Sequence, residues 1–269
     1  MRPLQNNPRS PLIELLVARG LFPSAAEAER AVLAGEVLSA DAVLTQPRAL
    51  VDPSCELRLK PRTAYVSRGG DKLAGALADF SFSPAGLRCL DVGASTGGFT
   101  DCLLRHGASS VVAVDVAYGQ FAWQLRNDER VMVVERTNIR EVDPQAIKAP
   151  FDLVVADVSF TPLRTLLALF SSLLSEGAAL ITLVKPQFEL AREAVGAGGV
   201  VTDSLAHVQA LELVIEAALC NDLAPQAVSF SPIKGPKGNI EFFLWARRAG
   251  IPATIDITDV VERAHALLG

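Results

Sequence analysis

From residue 71 onward the chain alternates continuous apolar runs with stretches of helical period, and this alternation limits the possible folds most. The apolar runs are LRCLDVGA, SVVAVDV, RVMVVERT, FDLVVADVS, ALITLVK, QAVSFSPI and NIEFFLWAR. Between most of them lie helical patterns such as DKLAGALADF, FTDCLLRHG and LRTLLALFSSLLS. A strand that is apolar at nearly every position must be covered on both faces. Alternation with helices makes the sheet parallel and doubly wound. The fold expected over residues 71–249 is therefore an α/β, Rossmann-like domain with a mostly parallel seven-stranded sheet. Ligands of such sheets bind outside the carboxyl ends of the strands, at the topological switch point.

The first 60 residues read as a separate small α+β domain. SPLIELLVARG is apolar at helical spacing and stops at Gly20, and Ser24 is placed to cap AAEAERAVLAG, which ends at Gly35. The β-like pieces EVLSADAVL and CELRLK follow. KPRTAYVSRGG, with Pro61 and the Gly69–Gly70 pair, reads as a linker over 61–70. Residues 250–269 form a carboxy-terminal tail with a capped amphipathic helix, roughly Thr258–Leu268, packed on the domain or on a partner.

Composition narrows the functional classes. No apolar run reaches the ~18 residues of a membrane span, and MRPLQNNPRSP lacks the apolar core of an export signal. The four cysteines show no CxxC pairing, which argues against zinc and disulfides and fits the cytoplasm, so no metal site is expected. The net charge is −5, and eight Arg/Lys meet seven Asp/Glu in residues 1–62. Any nucleic-acid contact must then come from local basic patches. The loop residues Arg68, Arg136, Arg140, Lys234 and Lys237 are the candidates for holding a phosphate backbone. Tyr65, Tyr118, Phe160 and Phe188 could stack a flipped-out nucleotide.

LDVGASTGGFTDCLL runs strand, glycine turn, helix. Gly93, Gly97 and Gly98 do not fit GxGxxG, and the P-loop Lys-Ser/Thr is missing, so dinucleotide and NTP cradles are disfavoured. Asp91 ends the strand before the turn, and Asp115 ends the next strand about twenty residues beyond the loop, where a carboxylate holds ribose hydroxyls. This is the arrangement of an S-adenosylmethionine site, with glycines beside the amino-acid part. Asn138, just past the third strand, is placed to contact the adenine edge.

Charged residues also interrupt strand patterns where burial is expensive. Asp157 closes FDLVVADVS, Lys185 closes ALITLVK ahead of Pro186, and Glu241 lies inside NIEFFLW. Lys72, in the helix after SRGGDK, completes a Lys–Asp–Lys–Glu set. Two ammoniums beside a carboxylate keep the acid charged, and their mutual repulsion lowers the proton affinity of at least one lysine. Such a lysine could then take a proton from a weakly acidic hydroxyl.

The blocks VSRGGDKL, LDVGASTGGFTDCLL, DVAYGQFAWQLRND, ERTNIR, ADVSF, LVKPQFE and IKGPKGNIEFFLW, in that order, resemble the TlyA (hemolysin A-like) family. That family comprises ribosomal-RNA 2′-O-methyltransferases with an FtsJ-like catalytic domain and a small amino-terminal RNA-binding domain. The resemblance implies that Lys72, Asp157, Lys185 and Glu241 form the catalytic tetrad, with Lys185 the central base or proton relay. It places Asp91, Gly93, Ala94, Ser95, Gly97, Gly98, Phe99, Asp115, Val116, Asn138 and Asp157 at the cofactor. It implies a ribosomal RNA or ribosomal-subunit partner; no membrane contact is expected, and a monomer is favoured. Two departures fall in the amino-terminal domain. Ala25 and Ala26 follow the capping serine where the family carries Arg or Lys, and Ser39-Ala40-Asp41 replaces an Asn-Gly turn. The weak basic character of residues 1–62 motivates an alternative, an rRNA- or ribosome-binding factor with little turnover. A pore-forming hemolysin, as the family name suggests, is a third and poorer reading, because the sequence shows no spanning helix and no export signal.

Overall fold

A computed structural model describes residues 9–40, 42–59 and 64–269. The chain divides into two compact units, Met1–Arg62 and Thr63–Gly269. Asp41, Lys60 and residues 61–63 of the expected linker lie outside the described residues.

The first unit runs β1 (Ser10–Pro11), α1 (Leu12–Ala18), α2 (Ala25–Leu33), β2 (Val37–Ser39), β3 (Ala42–Leu44), β4 (Leu50–Val51) and β5 (Leu57–Leu59). Ser24 caps α2 as its position implies, its hydroxyl accepting from the Glu27 amide at 3.3 Å. Leu12, Leu16, Ala28, Val32 and Val37 form its small core. Strands β3, β2 and β5 pair antiparallel in that order. The β2–β3 turn holds Ala40 at φ 49°, a left-handed conformation that Asn or Gly adopts at lower cost. Two of this unit's arginines bind its own backbone. Arg19 donates to Cys55 O at 2.7 Å, and Arg58 donates to Ala40 O at 2.9 Å.

The second unit is the expected seven-stranded sheet. Its elements are α3 (Arg68–Asp79), β6 (Arg88–Val92), α4 (Gly98–Arg105), β7 (Ser110–Val114), α5 (Trp123–Arg126), β8 (Val131–Val134), β9 (Phe151–Ala156), α6 (Leu167–Leu173), β10 (Leu174–Val184), α7 (Pro186–Glu189), α8 (Ser204–Leu219), β11 (Leu223–Phe230), β12 (Phe242–Arg248) and α9 (Ile257–Leu268). The strand order is β11-β12-β10-β9-β6-β7-β8. All neighbours are parallel except β12, which runs antiparallel to both β10 and β11. Alternate residues of each strand supply two cores. Leu90, Val112, Val154 and Leu180 face one side with Phe170 and Val214, while Cys89, Val111, Val155 and Ile181 face α3 and α4.

Two boundaries differ from the sequence reading. α3 begins at Arg68, so Arg68–Gly70 open a helix instead of ending a linker. The helix expected over LRTLLALFSSLLS shortens to α6, because Leu174 already pairs with Phe151 in the sheet. α9 packs on the domain, one of the two placements expected for it, with Val260, Val261 and Ala264 buried in the sheet core.

The chain passes from β6 outward to β7 and β8, then crosses back to β9 on the other side of β6. The switch point therefore lies between β6 and β9, where Gly93 and Asp157 leave their strands.

Candidate active site

Gly93 leaves β6 at φ +81°, and a Cβ there would collide with the carbonyl oxygen of Asp157. The two strand ends can approach only because position 93 has no side chain. This close approach divides one crevice into two cavities that share Gly93, Ser95 and Asp157 as walls. The first, about 350 Å³, is lined by Arg68, Lys72, Ala94, Gly98, Phe99 and Lys234. The second, about 310 Å³, is lined by Asp115, Val116, Asn138, Arg140, Ser159 and Phe160. Gly97 lies outside both linings and caps α4 at φ 94°.

The Asp115 carboxylate is fixed by backbone amides. Oδ2 accepts from Ser95 N at 2.7 Å, and Oδ1 accepts from Ala117 N at 2.6 Å. Each oxygen keeps a lone pair for a ligand hydroxyl. Asn138 accepts from Arg140 N at 3.1 Å, which orients it at the start of a short 3₁₀ turn.

Asp91 lies deeper and is fully buried. Its Oδ2 accepts the Thr100 hydroxyl at 2.7 Å, while Oδ1 has no partner. Burial pushes the Asp91 carboxyl up to about 7; the Thr100 bond opposes the rise, and the charges of Asp157 and Asp115 add to it. The unfolded chain loses this proton near 3.8, whereas the folded chain keeps it until about 7. Stability contributed by the neutral form is thus present at low pH, falls as pH rises through this window, and levels off above it. The full cost is about 4 kcal/mol. Asp91→Asn is expected to remove this slope between pH 4 and 7, read as the urea midpoint against pH. A slope unchanged in the variant would contradict the assignment.

The four charged residues come together as two ion pairs. Lys185 Nζ lies 2.5 Å from Asp157 Oδ1, and Lys72 Nζ lies 2.5 Å from Glu241 Oε2. Asp157 and Lys72 both line the first cavity, so the pairs converge on one space. Glu241 stands just before β12, not within it, and its carbonyl accepts from Ser231 N at 2.8 Å. Pairing removes most of the cost of burying these charges.

The basic candidates separate. Arg68 donates to Lys234 O at 2.9 Å, tying α3 to the loop before β12, and Lys237 is exposed on that same loop. Arg140 donates to Thr165 Oγ1 at 2.7 Å. Arg136 stacks 3.9 Å over the exposed Tyr118 ring. Phe160 is exposed beside Phe188, with ring centroids 5.3 Å apart. Tyr65 is not a free platform, since its ring packs against Gly70 and stacks on His106 at 6.5 Å.

Two polar residues escaped the sequence reading. Ser159 accepts from Lys185 Nζ at 2.8 Å. Glu189 is buried and accepts from Leu163 N at 2.5 Å, which joins α7 to the loop after β9. Only the two-residue spacing from Asp157 in ADVSF marked Ser159, and nothing marked Glu189.

Residues 65–248 match the FtsJ-like methyltransferase family. The chain belongs to the FtsJ-like methyltransferases. Its relatives place it on the TlyA (hemolysin A-like) branch. The 16S/23S rRNA (cytidine-2′-O)-methyltransferase TlyA of Mycobacterium tuberculosis is 46% identical over 234 residues, 86% of this chain and 87% of the relative. Hemolysin A of Brachyspira hyodysenteriae is 35% identical over 232 residues, 86% and 97%. A Streptococcus thermophilus protein solved under a provisional hemolysin name superposes with a TM-score of 0.75 at 37% identity, covering 97% of both chains. Among the described residues of this FtsJ-like methyltransferase, no helix is long and apolar enough to cross a membrane.

Proposed function

We propose that this FtsJ-like methyltransferase transfers a methyl group from S-adenosylmethionine to a ribose 2′-hydroxyl of ribosomal RNA. The observation that carries the reading is the Lys185–Asp157 pair, held at the wall common to both cavities. The Mycobacterium tuberculosis relative, named for cytidine 2′-O-methylation of 16S and 23S rRNA, supports the substrate class. The structure fits the cofactor on its own terms. The Gly93 cradle admits no Cβ, and the Asp115 carboxylate is anchored with lone pairs to spare. When bound, the cofactor supplies an electrophilic methyl on sulfonium.

The chain's residues divide the work by position. Asp115 would receive the ribose hydroxyls of the cofactor, Asn138 and Val116 would flank its base, and the Gly93–Phe99 loop would hold its amino-acid arm, since these residues line the two cavities or the turn between them. Lys185, in its amine form, accepts the proton leaving the 2′-hydroxyl, and Asp157 holds that side chain and stabilises the ammonium produced. The Lys72–Glu241 pair fixes the floor beside them. Both pairs come from one chain, so a monomer suffices, and a ribosomal substrate locates the activity in the cytoplasm. The first unit serves as an RNA-binding domain, and Lys234, Lys237, Arg140 and Arg136 supply phosphate contacts around the crevice. Mapping 2′-O-methyl positions in rRNA from cells with and without the gene tests this directly. The reading requires at least one ribose to lose its methyl, and identical maps would refute it.

The loop carrying Lys234 and Lys237 sits directly on the tetrad. A Cβ at Gly235 would collide with Glu241 Oε1. Gly235→Ala should therefore displace the carboxylate from Lys72. Methyl transfer is expected to fall by about 10²-fold, the usual result of misplacement by about 1 Å. Single-turnover rates with saturating cofactor check this, and an unchanged rate would contradict it.

A further inference from the structure

Lys185 is 8% exposed, whereas Ser159 is exposed and lines the second cavity together with Asp157. Lys185 is absent from the linings of both cavities. Ser159 thus presents a hydroxyl to solvent, while the Lys185 nitrogen bonded to it is largely covered. The two groups already share a hydrogen bond of 2.8 Å. We propose that Ser159 is a catalytic proton-relay residue, standing between the substrate hydroxyl and Lys185. The inference rests on the 2′-O-methylation reading and adds a member to its machinery.

The proton path balances. As the 2′-oxygen takes the methyl, the methyl–sulfur bond of the sulfonium breaks with its electron pair left on a neutral thioether, the O–H bond breaks, and the proton passes to Ser159 Oγ. The Ser159 proton passes in the same motion to the amine of Lys185, which becomes an ammonium. Ser159 ends as the neutral hydroxyl it began as, and the new positive charge faces Asp157 Oδ1 at 2.5 Å. A hydroxyl suits this position because it has one hydrogen to give and two lone pairs to receive. The hydrogen bond from Lys185 to Ser159 is then the product-side arrangement of the relay.

A carboxylate route is the alternative that the geometry leaves open. Asp157 lines the same cavity, and a ribose hydroxyl could donate to it without involving Ser159. Substitution at Ser159 separates the two. Ser159→Ala removes the relay and Ser159→Thr keeps a hydroxyl, while neither touches the Asp157 carboxylate.

The test compares wild type, Ser159→Ala and Ser159→Thr in single-turnover methyl transfer to rRNA at saturating cofactor, beside cofactor affinity by calorimetry. Ser159→Ala is expected to lose about 10²-fold in rate, the lower end for a proton-transfer group, and saturating cofactor keeps any change in cofactor affinity at this cavity wall out of that rate. Ser159→Thr is expected to recover most of that loss. In the ligand-free protein, cyanate should carbamylate Lys185 faster in Ser159→Ala than in wild type, followed by peptide mass, because the covering hydroxyl is gone. A Ser159→Ala rate within twofold of wild type would overturn the proposal, as would a threonine variant as slow as the alanine one. An inactive wild type would instead refute the methylation reading itself, so the two failures are distinguishable.

Discussion

Lys185→Met is expected to lower methyl transfer to rRNA by about 10²–10⁴-fold, the range for removing a general base. The cofactor dissociation constant should stay within a fewfold of wild type, because Lys185 lines neither cavity. Methionine keeps the length and apolar stem of lysine, so packing at the end of β10 survives. The change leaves Asp157 without its cation, but the Asp157 side chain is 22% exposed and keeps access to water. The stability loss should accordingly be small and the rate loss large. Single-turnover kinetics with calorimetric cofactor titration separates the two. A variant that binds cofactor normally and methylates at the wild-type rate would remove Lys185 from the mechanism.

The Lys72–Glu241 pair should behave in the opposite way, with stability as its largest readout. Its side chains are 9% and 2% exposed, so removing one partner strands a charge in the interior. Lys72→Met is expected to cost about 3–5 kcal/mol, which lowers Tm by roughly 6–20 °C for a unit of this size. Replacing both, as Lys72→Met with Glu241→Leu, should restore most of that stability, because no lone charge remains. The double variant should nevertheless stay catalytically poor, since the carboxylate beneath the Lys234–Gly238 loop is gone. Thermal unfolding of the two variants decides the point. A double variant as unstable as the single one would show that the pair is not the source of the loss.

The sheet was legible because its information is local. A strand buried on both faces must be apolar throughout, so seven such runs announce seven strands whatever their order. The site was legible in part for the converse reason, since a charge such as Lys185 at the end of a buried strand stands out against that background. What stayed hidden depends on distance in the chain. The partner of Lys72 lies 169 residues away, and no spacing rule joins them. Ser159 looked like a loop serine until β10 brought Lys185 beside it. The sequence left Tyr65 either as a stacking ring or as core, and Gly70, which leaves room for its ring, decides for the core. α9 carries the amphipathic pattern of any surface helix, and only the fold shows that it completes the core under β11. Helix boundaries failed where pairing overrode periodicity, as when Leu174 joined the sheet instead of extending α6.

The central claim is that Lys185 and Asp157 serve methyl transfer to a ribose oxygen. Its most direct test incubates purified protein with rRNA and methyl-labelled S-adenosylmethionine, then digests the RNA to nucleosides for mass spectrometry. The account predicts label in a 2′-O-methylnucleoside with wild-type protein and almost none with Lys185→Met. Label on a base, or no label in RNA while the cofactor binds tightly, would contradict it.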